Sequence, residues 1–274
     1  MTPKLILFDL DGTLLDEEKQ LSPENREALL FANQNGAEIV IATGRFYGGL
    51  PQAIKDLSFV RYFILMNGAK VYDRQEDRVL YRAEIPMEIA QQVFSFLGGV
   101  DCSVDCYQND HGWMDEKYFE KIEYYLKNPH ARELTIRTRT IVQDFPKVVA
   151  QNGDSVQKIQ SYFPDLSLRP KVMEQLHRKF PMLVQSISMP ANLELNWETA
   201  TKGHALQALA QHLGIPMAET AAFGDGTNDL TMVQFAGIGV AMDNGAEELK
   251  QVADRIAPSN VEHGVAQVLN GWFC

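Results

Sequence analysis

The feature that most constrains this fold is a short apolar run, residues 4–8, followed at once by Asp-Leu-Asp-Gly-Thr at residues 9–13. An apolar run of this length that is bounded by a glycine turn is typical of a buried strand. We therefore expect Asp9 and Asp11 at the carboxyl end of that strand, which is where open α/β sheets bind their ligands.

The spacing of the two carboxylates points to a metal. Residues two apart on an extended segment face the same way, so we expect Asp9 and Asp11 to face one point in space. Adjacent buried carboxylates repel unless a cation lies between them, and oxygen ligands suit a hard ion such as Mg²⁺. An ordinary Asp-Gly turn after a strand is the alternative, and this segment alone does not decide between the two.

Alternating strands and helices follow the first strand. Ser22, Pro23 and Glu24 are typical of a helix start, and apolar residues recur from there to Asn-Gly at 35–36. The sequence of strand, helix, strand, helix, strand predicts an α/β fold with a doubly wound, Rossmann-like parallel sheet. Buried strands are predicted at 38–42 and 62–66, and an antiparallel hairpin at 69–73 and 78–82.

The pattern changes between residues 84 and 196, where helical periodicity alternates with short strands and proline-containing joints lie at 84–86 and 189–192. From Thr201 the first pattern returns with a helix to Gly214 and strands at 221–224 and 237–242. We therefore predict a sheet core made of residues 1–83 and 197–274, interrupted by an inserted α/β domain at 84–196. Within the insertion, a helix is expected at 86–97 and strands at 103–107, 156–163 and 183–188.

The net charge and the cysteine content of the chain limit the classes of partner and the cellular compartment that we expect. A formal net charge of −11 argues against a nucleic-acid backbone or an anionic membrane surface as partner, and no apolar run approaches membrane-spanning length. An acidic chain that binds phosphate needs a local cation, which agrees with the predicted metal. The three cysteines, Cys102, Cys106 and Cys274, are few and odd in number, as in a reducing cytosol, so we expect inert thiols in a cytoplasmic protein.

Polar groups follow a second predicted strand, at residues 43–45 (Thr-Gly-Arg). The Thr43 hydroxyl and the amides around Gly44 could hold an anion near a helix start, or Thr43 could simply cap that turn. Lys202 opens the helix after the insertion, where its charge opposes the helix dipole. A solvated surface lysine is the alternative there.

Residues 224–230 form a further glycine-rich turn after an apolar strand. Asp225 would complete a metal site with the leading carboxylates, and Asn228 and Asp229 lie in the first turn of the next helix. An aspartate-capped turn is the alternative for this segment taken alone. Carboxylates, a hydroxyl and a lysine at several carboxyl ends of one sheet together predict a phosphate-and-magnesium site.

Residues 9–13, Thr43, Lys202 and 224–229 resemble, in order and spacing, the four motifs of the haloacid dehalogenase-like hydrolases. The similarity is closest to the Cof-type phosphatases, which carry a large α/β cap between the second and third motifs. Gly226, where the family often has serine, and Asp243, where glycine is commoner, depart from the pattern without removing a group that the chemistry needs. Further segments similar to that subgroup lie at 66–69, 240–246, 259–260 and 262–265.

The resemblance implies a role for each motif residue. Asp9 would be the nucleophile, and Asp11 would protonate the leaving alcohol and then activate water. Mg²⁺ would be held by Asp9, the main-chain carbonyl of Asp11 and Asp225, with Asp229 in support. The phosphoryl oxygens would be bound by the Leu10 and Gly44 amides, Thr43, Lys202 and Asn228.

The implied function is Mg²⁺-dependent hydrolysis of small phosphate monoesters, such as sugar phosphates, pyridoxal phosphate or nucleotide-like monoesters, through an aspartyl-phosphate. A phosphomutase of the same superfamily is one alternative. A non-enzymatic phosphoacceptor module is another, although it has no use for an acid/base partner two residues after the nucleophile. A kinase is disfavoured because the sequence has no Gly-x-x-x-x-Gly-Lys-Ser/Thr loop.

Overall fold

The computed structural model describes residues 2–273, apart from the side chain of His130, and within them the chain divides into two units. One unit runs to Arg82 and resumes at Thr199, and the other is Ala83–Glu198. The first unit is therefore built from two separate stretches of chain.

The described residues form the following strands and helices. The strands are β1 (Leu5–Phe8), β2 (Glu38–Ala42), β3 (Tyr62–Leu65), β4 (Lys70–Asp73), β5 (Arg78–Arg82), β6 (Ile85–Pro86), β7 (Ser103–Gln108), β8 (His111–Asp115), β9 (Arg139–Val142), β10 (Ser155–Val156), β11 (Lys158–Tyr162), β12 (Leu183–Ser186), β13 (Asn192–Trp197), β14 (Thr220–Gly224), β15 (Ile238–Met242) and β16 (Arg255–Ala257). The helices are α1 (Pro23–Gln34), α2 (Gln52–Lys55), α3 (Met87–Gly98), α4 (Glu116–Phe119), α5 (Ile122–Tyr125), α6 (Pro129–Thr138), α7 (Phe145–Gln151), α8 (Arg169–Lys179), α9 (Lys202–Leu213), α10 (Leu230–Phe235), α11 (Glu247–Lys250) and α12 (Gly264–Phe273).

The sheet of the first unit has the strand order β16-β15-β14-β1-β2-β3-β4-β5. The strands from β16 to β3 run parallel, and β4 and β5 continue the sheet beyond β3 as an antiparallel hairpin. The chain builds outward from β1 to β3 and later returns to the other side of β1 as β14, which is the doubly wound topology. The predicted α/β fold class is confirmed.

Local sequence signals account for the elements around β1. All four residues of β1 are fully buried, since strands pair on both sides of it, and Leu5 and Leu7 belong to the apolar cluster that also contains Leu206 and Leu209 of α9. The Ser22 side chain accepts a hydrogen bond from the Asn25 amide, and Pro23 occupies the first turn of α1. The helix expected at 22–36 is thus present with its predicted cap.

The second unit has a sheet in the order β12-β13-β11-β7-β8-β9, antiparallel except for the β8–β9 pair. Ile159, Leu193 and Leu195 belong to its apolar core, which also contains Val93 and Phe94 of α3. The strand expected at 156–163 is interrupted at Gln157, because Val156 pairs with Ile85 and Lys158 pairs with Tyr107.

The structure corrects one expectation about this second unit, the joint at 189–192, and agrees with another, the unreactive cysteines. Residues 189–192 form the turn that leads from β12 into β13 inside the unit, because β13 pairs with both β12 and β11, and the chain re-enters the first unit only at Thr199. Cys102 and Cys106 are free and buried, and burial raises the pKa of both thiols, as expected for unreactive groups. Cys274 lies outside the described residues.

The helices between residues 2 and 273 are all too short or too polar to cross a membrane.

Candidate active site

The site begins where three neighbouring strands of the first sheet end. We call this side of the sheet, formed by the carboxyl ends of its parallel strands, the carboxyl edge. Phe8 of β1 lies beside Ile41 of β2 and Phe223 of β14. The Asp9 amide continues the pairing by donating a hydrogen bond to the Phe223 carbonyl at 2.9 Å. Because parallel strands in this register end together, the segments that carry Asp9, Thr43 and Asp225 leave the sheet at one edge.

Lys202 joins the segments at this edge. It is the first residue of α9, is fully buried, and has its Nζ 2.5 Å from Asp9 Oδ1 and 2.5 Å from Asp229 Oδ1. Burial acts to lower the pKa of Lys202, but the charges of Asp229 and Asp9 outweigh it and hold the pKa above its ordinary value. Lys202 is therefore a fixed, buried cation, and the alternative of a solvated surface lysine is wrong.

Asp229 organises the loop that follows β14. Its Oδ2 accepts hydrogen bonds from the amides of Asp225 at 3.0 Å and Gly226 at 2.9 Å, while its Oδ1 contacts Lys202. Gly224 allows this close approach, because a Cβ there would lie 2.5 Å from the Cβ of Asp229. Asp229 thus fixes both the turn and the lysine.

Asp225 is held by the turn that follows Asp9. Its Oδ1 accepts a hydrogen bond from the Thr13 hydroxyl at 2.9 Å. Gly12 has φ +99°, and a Cβ at that position would lie 2.3 Å from Asp225 Oδ2, so the close approach of the two loops needs glycine there for two reasons.

Asp9, Asp225 and Asp229 each place a carboxylate oxygen within 4.8 Å of the others. Among these described groups, three carboxylates and one ammonium leave two negative charges, the amount that one divalent cation would balance. Burial raises the pKa of Asp9 well above its ordinary value, and the charges of Asp229 and Asp225 add to this against the opposing charge of Lys202. Burial and the charge of Asp229 raise the pKa of Asp225 to about 6. An all-oxygen, under-compensated donor set fits a hard divalent ion.

Asp11 meets different partners from Asp9. Its Oδ2 accepts from Arg45 Nε at 2.8 Å, and its Oδ1 accepts from Arg45 Nη2 at 2.6 Å and lies 3.1 Å from Lys19 Nζ. The expectation that Asp9 and Asp11 face one point assumed extended backbone. However, β1 ends at Phe8 and the chain turns, with the Leu15 amide bonded to the Leu10 carbonyl. The two carboxylates therefore meet different cations: Lys202 contacts Asp9, while Arg45 and Lys19 contact Asp11.

The charge environment of Asp11 also differs from that of Asp9. Burial acts to raise the pKa of Asp11, but the hydrogen bonds and charge of Arg45, together with Lys19, hold that pKa below its ordinary value. In this arrangement Asp11 is a carboxylate with its own positive partners.

The Thr43 segment and the Asn228 segment meet at Asn67. The Thr43 hydroxyl accepts a hydrogen bond from the Arg45 amide at 3.2 Å, so the local capping contact expected for Thr43 is present. Asn228 Nδ2 donates to Asn67 Oδ1 at 3.3 Å, and a Cβ on Gly44 would lie 2.7 Å from that same oxygen. The two segments assigned to phosphate binding are thus linked through one buried side chain. Leu10 is buried in the turn beside Asp9.

Sequence reasoning gave no individual role to several residues that shape this edge. Asn244 Nδ2 donates to the Gly12 carbonyl at 2.8 Å, Asn260 Nδ2 donates to the Leu15 carbonyl at 2.7 Å, and the Asn260 amide donates to Asn244 Oδ1. Asn67 has φ 61°, and the Asn-Gly pairs at 67–68 and 244–245 were the available signal, since such pairs mark tight turns. Thr13, Lys19 and Arg45 also had no individual role.

Comparison with known proteins gives a consistent result. The family model for haloacid dehalogenase-like hydrolases matches residues 6–269. Phosphatase YwpJ of Bacillus subtilis (strain 168) is 31% identical over 97% of this chain and 98% of its own length. The 5-amino-6-(5-phospho-D-ribitylamino)uracil phosphatase YcsE of the same organism is 30% identical over 98% and 95%. The solved structure of a haloacid dehalogenase-like hydrolase from B. subtilis superposes with a TM-score of 0.84 at 30% identity, covering 97% of this chain and 99% of that one.

Proposed function

This chain belongs to the haloacid dehalogenase-like hydrolases, as a phosphatase similar to the Cof type, and we propose that it hydrolyses small phosphate monoesters with Mg²⁺ through a phosphorylated Asp9. The observation that carries the proposal is the group of Asp9, Asp225 and Asp229 around the buried ammonium of Lys202. A phosphate dianion cannot approach such a group without further positive charge.

In the first step, a carboxylate oxygen of Asp9 forms a bond to phosphorus while the bond from phosphorus to the ester oxygen breaks. Asp11 must carry a proton for this step, which requires that it leave its ion pair with Arg45, and it gives that proton to the departing oxygen, which leaves as an alcohol. In the second step, Asp11 takes a proton from water as the water oxygen bonds to phosphorus. The bond between phosphorus and Asp9 then breaks, which restores the carboxylate and releases phosphate.

The remaining residues position the phosphoryl group and balance its charge. We assign the phosphoryl oxygens to the Leu10 and Gly44 amides, the Thr43 hydroxyl, Lys202 and Asn228. Lys202 also holds Asp9 in place through its 2.5 Å contact. Asp9, the main-chain carbonyl of Asp11 and Asp225 would hold Mg²⁺ with Asp229 in support, and the bound ion would neutralise charge between the phosphate and these carboxylates.

The substrate class follows from chemistry and from one relative. The YcsE protein is named for a phosphorylated ribitylaminouracil, which is a nucleotide-like monoester. We propose the same broad class here: sugar phosphates, pyridoxal phosphate or nucleotide-like monoesters. Measuring phosphate release from a panel of such monoesters with Mg²⁺ would rank them, and isomerisation without phosphate release would indicate a phosphomutase instead.

The role of the second unit and the compartment also remain proposals. We propose that Ala83–Glu198 selects among leaving groups, as the cap of Cof-type phosphatases is expected to do. Substitutions in that unit should then change the ranking of substrates more than the rate of dephosphorylation of Asp9. The cytoplasm is the proposed compartment, on the cysteine usage of the chain.

The Asp11→Asn variant tests the division of labour directly. Asp9 remains a nucleophile in this variant, and an aryl phosphate needs little protonation of its leaving group, so Asp9 should still become phosphorylated. Without the base, the aspartyl-phosphate should accumulate. We expect a burst of phenol with little free phosphate, and one added phosphoryl mass on the peptide that contains Asp9.

The outcome that would overturn the proposal is a wild-type rate of phosphate release by Asp11→Asn, or a label on another residue. The metal requirement has its own test: turnover should stop in excess chelator and return with Mg²⁺. Undiminished turnover after verified metal removal would contradict that requirement.

A further inference from the structure

Three consecutive residues after β3, which we call the left-handed turn, have positive φ angles. Met66 has φ 53°, Asn67 has φ 61° and Gly68 has φ 105°. This conformation is easy for glycine and tolerated by asparagine, but it is unfavourable for a buried methionine, because the Cβ of an L-residue then crowds the following carbonyl. Such strain persists only where the surrounding structure holds it, and it is concentrated at functional sites.

The main chain of the left-handed turn fixes the peptide group that carries the Gly44 amide. The Asn67 amide donates a hydrogen bond to the Thr43 carbonyl at 3.0 Å, and the Met66 amide donates to the Arg45 carbonyl at 3.1 Å. The Thr43 carbonyl and the Gly44 amide belong to one planar trans peptide group, in which the C=O and N–H bonds point in opposite directions. The hydrogen bond to the Thr43 carbonyl therefore directs the Gly44 N–H away from the left-handed turn.

The side chain of Asn67 holds a second group that is assigned to phosphate. Its Oδ1 accepts a hydrogen bond from Asn228 Nδ2 at 3.3 Å and lies against Gly44, where a Cβ would be 2.7 Å away. Because the Asn67 side chain is buried, its oxygen is a fixed acceptor. The amide nitrogen of Asn228 carries two hydrogens, so one bond to Asn67 orients the group while the second hydrogen can serve a phosphoryl oxygen.

Gly68 places the left-handed turn against the start of α9. A Cβ on Gly68 would overlap the Thr201 carbonyl and would lie 2.8 Å from the Lys202 amide nitrogen. Thr201 caps α9 by accepting a hydrogen bond from the His204 amide at 3.2 Å. The left-handed turn therefore contacts all three segments that carry Gly44, Asn228 and Lys202.

Amides that bind a phosphoryl group must converge on its oxygens before the reaction begins. We infer that Asn67 is a positioning residue for phosphoryl binding: its main-chain amide orients the Gly44 amide, and its side-chain oxygen orients the Asn228 amide. This inference rests on the proposed function, because Asn67 acts through groups that are assigned there to the phosphoryl oxygens. Asn67 itself is given no contact with phosphate.

The test removes the side-chain oxygen and measures phosphate binding. Asn67→Gly keeps the left-handed backbone, since glycine adopts a positive φ without strain, but it deprives the Asn228 amide of its acceptor. We expect the dissociation constant of inorganic phosphate, measured by calorimetry with Mg²⁺, to rise about tenfold. Because all monoesters share the phosphoryl group, kcat/KM should fall by equal factors for an alkyl phosphate and for p-nitrophenyl phosphate.

A second variant separates the oxygen from the backbone. Asn67→Ala removes the same oxygen but disturbs the turn in the opposite way, because alanine is strained at this φ whereas glycine adds backbone freedom. The melting temperature should therefore be lower for Asn67→Ala than for Asn67→Gly, while the loss of phosphate affinity should be the same. Either variant serves alone if the other folds poorly.

The turn between β4 and β5 supplies a matched control at the other end of β4. Asp77 has φ 47°, and its Oδ1 accepts a hydrogen bond from the Tyr72 hydroxyl at 2.8 Å. Asp77→Gly thus removes a side-chain acceptor from a left-handed residue, as Asn67→Gly does. It should change phosphate affinity and kcat/KM by less than about twofold.

A double variant tests whether Asn67 acts through Asn228. In an Asn228→Ala background, Asn67→Gly should weaken phosphate binding by less than about a further twofold, because the amide that it orients is already absent. Wild-type phosphate affinity in the Asn67 variants, or a further loss of about tenfold in the Asn228→Ala background, would overturn the inference.

Failure of this inference is distinguishable from failure of the proposed function. Phosphate affinity that Asn228→Ala leaves unchanged would contradict the assignment of Asn228 and this inference with it. Calorimetry measures binding without turnover, so the absence of monoester hydrolysis by the wild-type protein would instead contradict the proposed function.

Discussion

Asp9 and Asp73 are buried aspartates of the same sheet. Asp9 lies at the carboxyl edge, whereas Asp73 lies at the amino edge, where the parallel strands begin, and the two differ in the balance of nearby charges. Asp73 receives the two-pronged contact of Arg61 and the amides of Gln75 and Glu76. The hydrogen bonds from Arg61 hold the pKa of Asp73 below its ordinary value. Burial raises the pKa of Asp9 instead. Lys202 does not offset this effect, because it is shared with Asp229 and because the charge of Asp225 lies nearby.

The difference separates a carboxylate whose charge is matched by its own partners from one that must share its cation. At the amino edge, each buried charge has its partner, so the group is complete without a ligand. At the carboxyl edge, the described carboxylates outnumber their cation, and this excess is the electrostatic condition for binding a metal ion. Burial is common to both edges, so burial alone does not identify a site.

The largest expected effect is on turnover. Asp9→Asn should lower turnover by at least about 10⁴-fold, because an amide is neither a nucleophile toward phosphorus nor an anionic metal ligand. Asp73→Asn, at the other edge, should leave kcat within about twofold while the protein remains folded. Steady-state kinetics on one monoester checks both, and comparable losses in the two variants would remove the functional distinction between the edges.

The next effect is on stability at the amino edge. Asp73→Asn removes the buried carboxylate that pairs with the partly exposed Arg61, so the free energy of unfolding should fall by roughly 1–2 kcal/mol. Denaturant unfolding followed by circular dichroism measures this change. A loss below about 0.5 kcal/mol would show that the Arg61 pair does not stabilise this edge.

At the carboxyl edge, removal of an aspartate charge should change the free energy of unfolding in the opposite direction. Asp225→Asn in the metal-free protein removes one uncompensated charge, so the free energy of unfolding at pH 7 should rise by about 2 kcal/mol while activity is lost. Unfolding in the presence of chelator measures the change, with Asp73→Asn as the control of opposite sign. Destabilisation by both variants would mean that the Asp225 charge is already compensated.

The smallest expected effect is a pH slope. The pKa of Asp225 is about 6 in the folded protein against 3.8 for an ordinary aspartate, so the folded state binds the proton more tightly. Its contribution to stability is fully present below about pH 4 and is lost as the pH rises through 6, by about 1 kcal/mol between pH 5 and 7. Melting temperatures of the metal-free protein should follow this trend.

The Asp225→Asn variant supplies the control for that slope, which should become shallower when the titrating group is removed. Mg²⁺ should also flatten it, because a bound cation favours the ionised carboxylates. A slope unchanged by both manipulations would assign the pH dependence to other groups.

Much of the first unit was predictable because its signals are local. The apolar run at 4–8 and the Ser-Pro-Glu start of α1 lie within the elements they specify, and β2 has its predicted bounds, Glu38–Ala42. The second unit was less predictable. Its strand at 156–163 is divided by pairing with β6 on one side and β7 on the other, and long-range pairing of that kind leaves no mark in the segment itself.

By itself, the sequence determined the α/β class and the family, because hydrophobic periodicity and motif order are properties of the chain alone. It also indicated which polar residues follow buried strands. Only the tertiary structure decided the partners of those residues. Lys202 reaches Asp9 across 193 positions, and Asp11 contacts Arg45 because the chain turns from Leu10 onward. The direction of a side chain beyond the end of a strand depends on the turn and on the charges that packing brings to it, and neither is a local property.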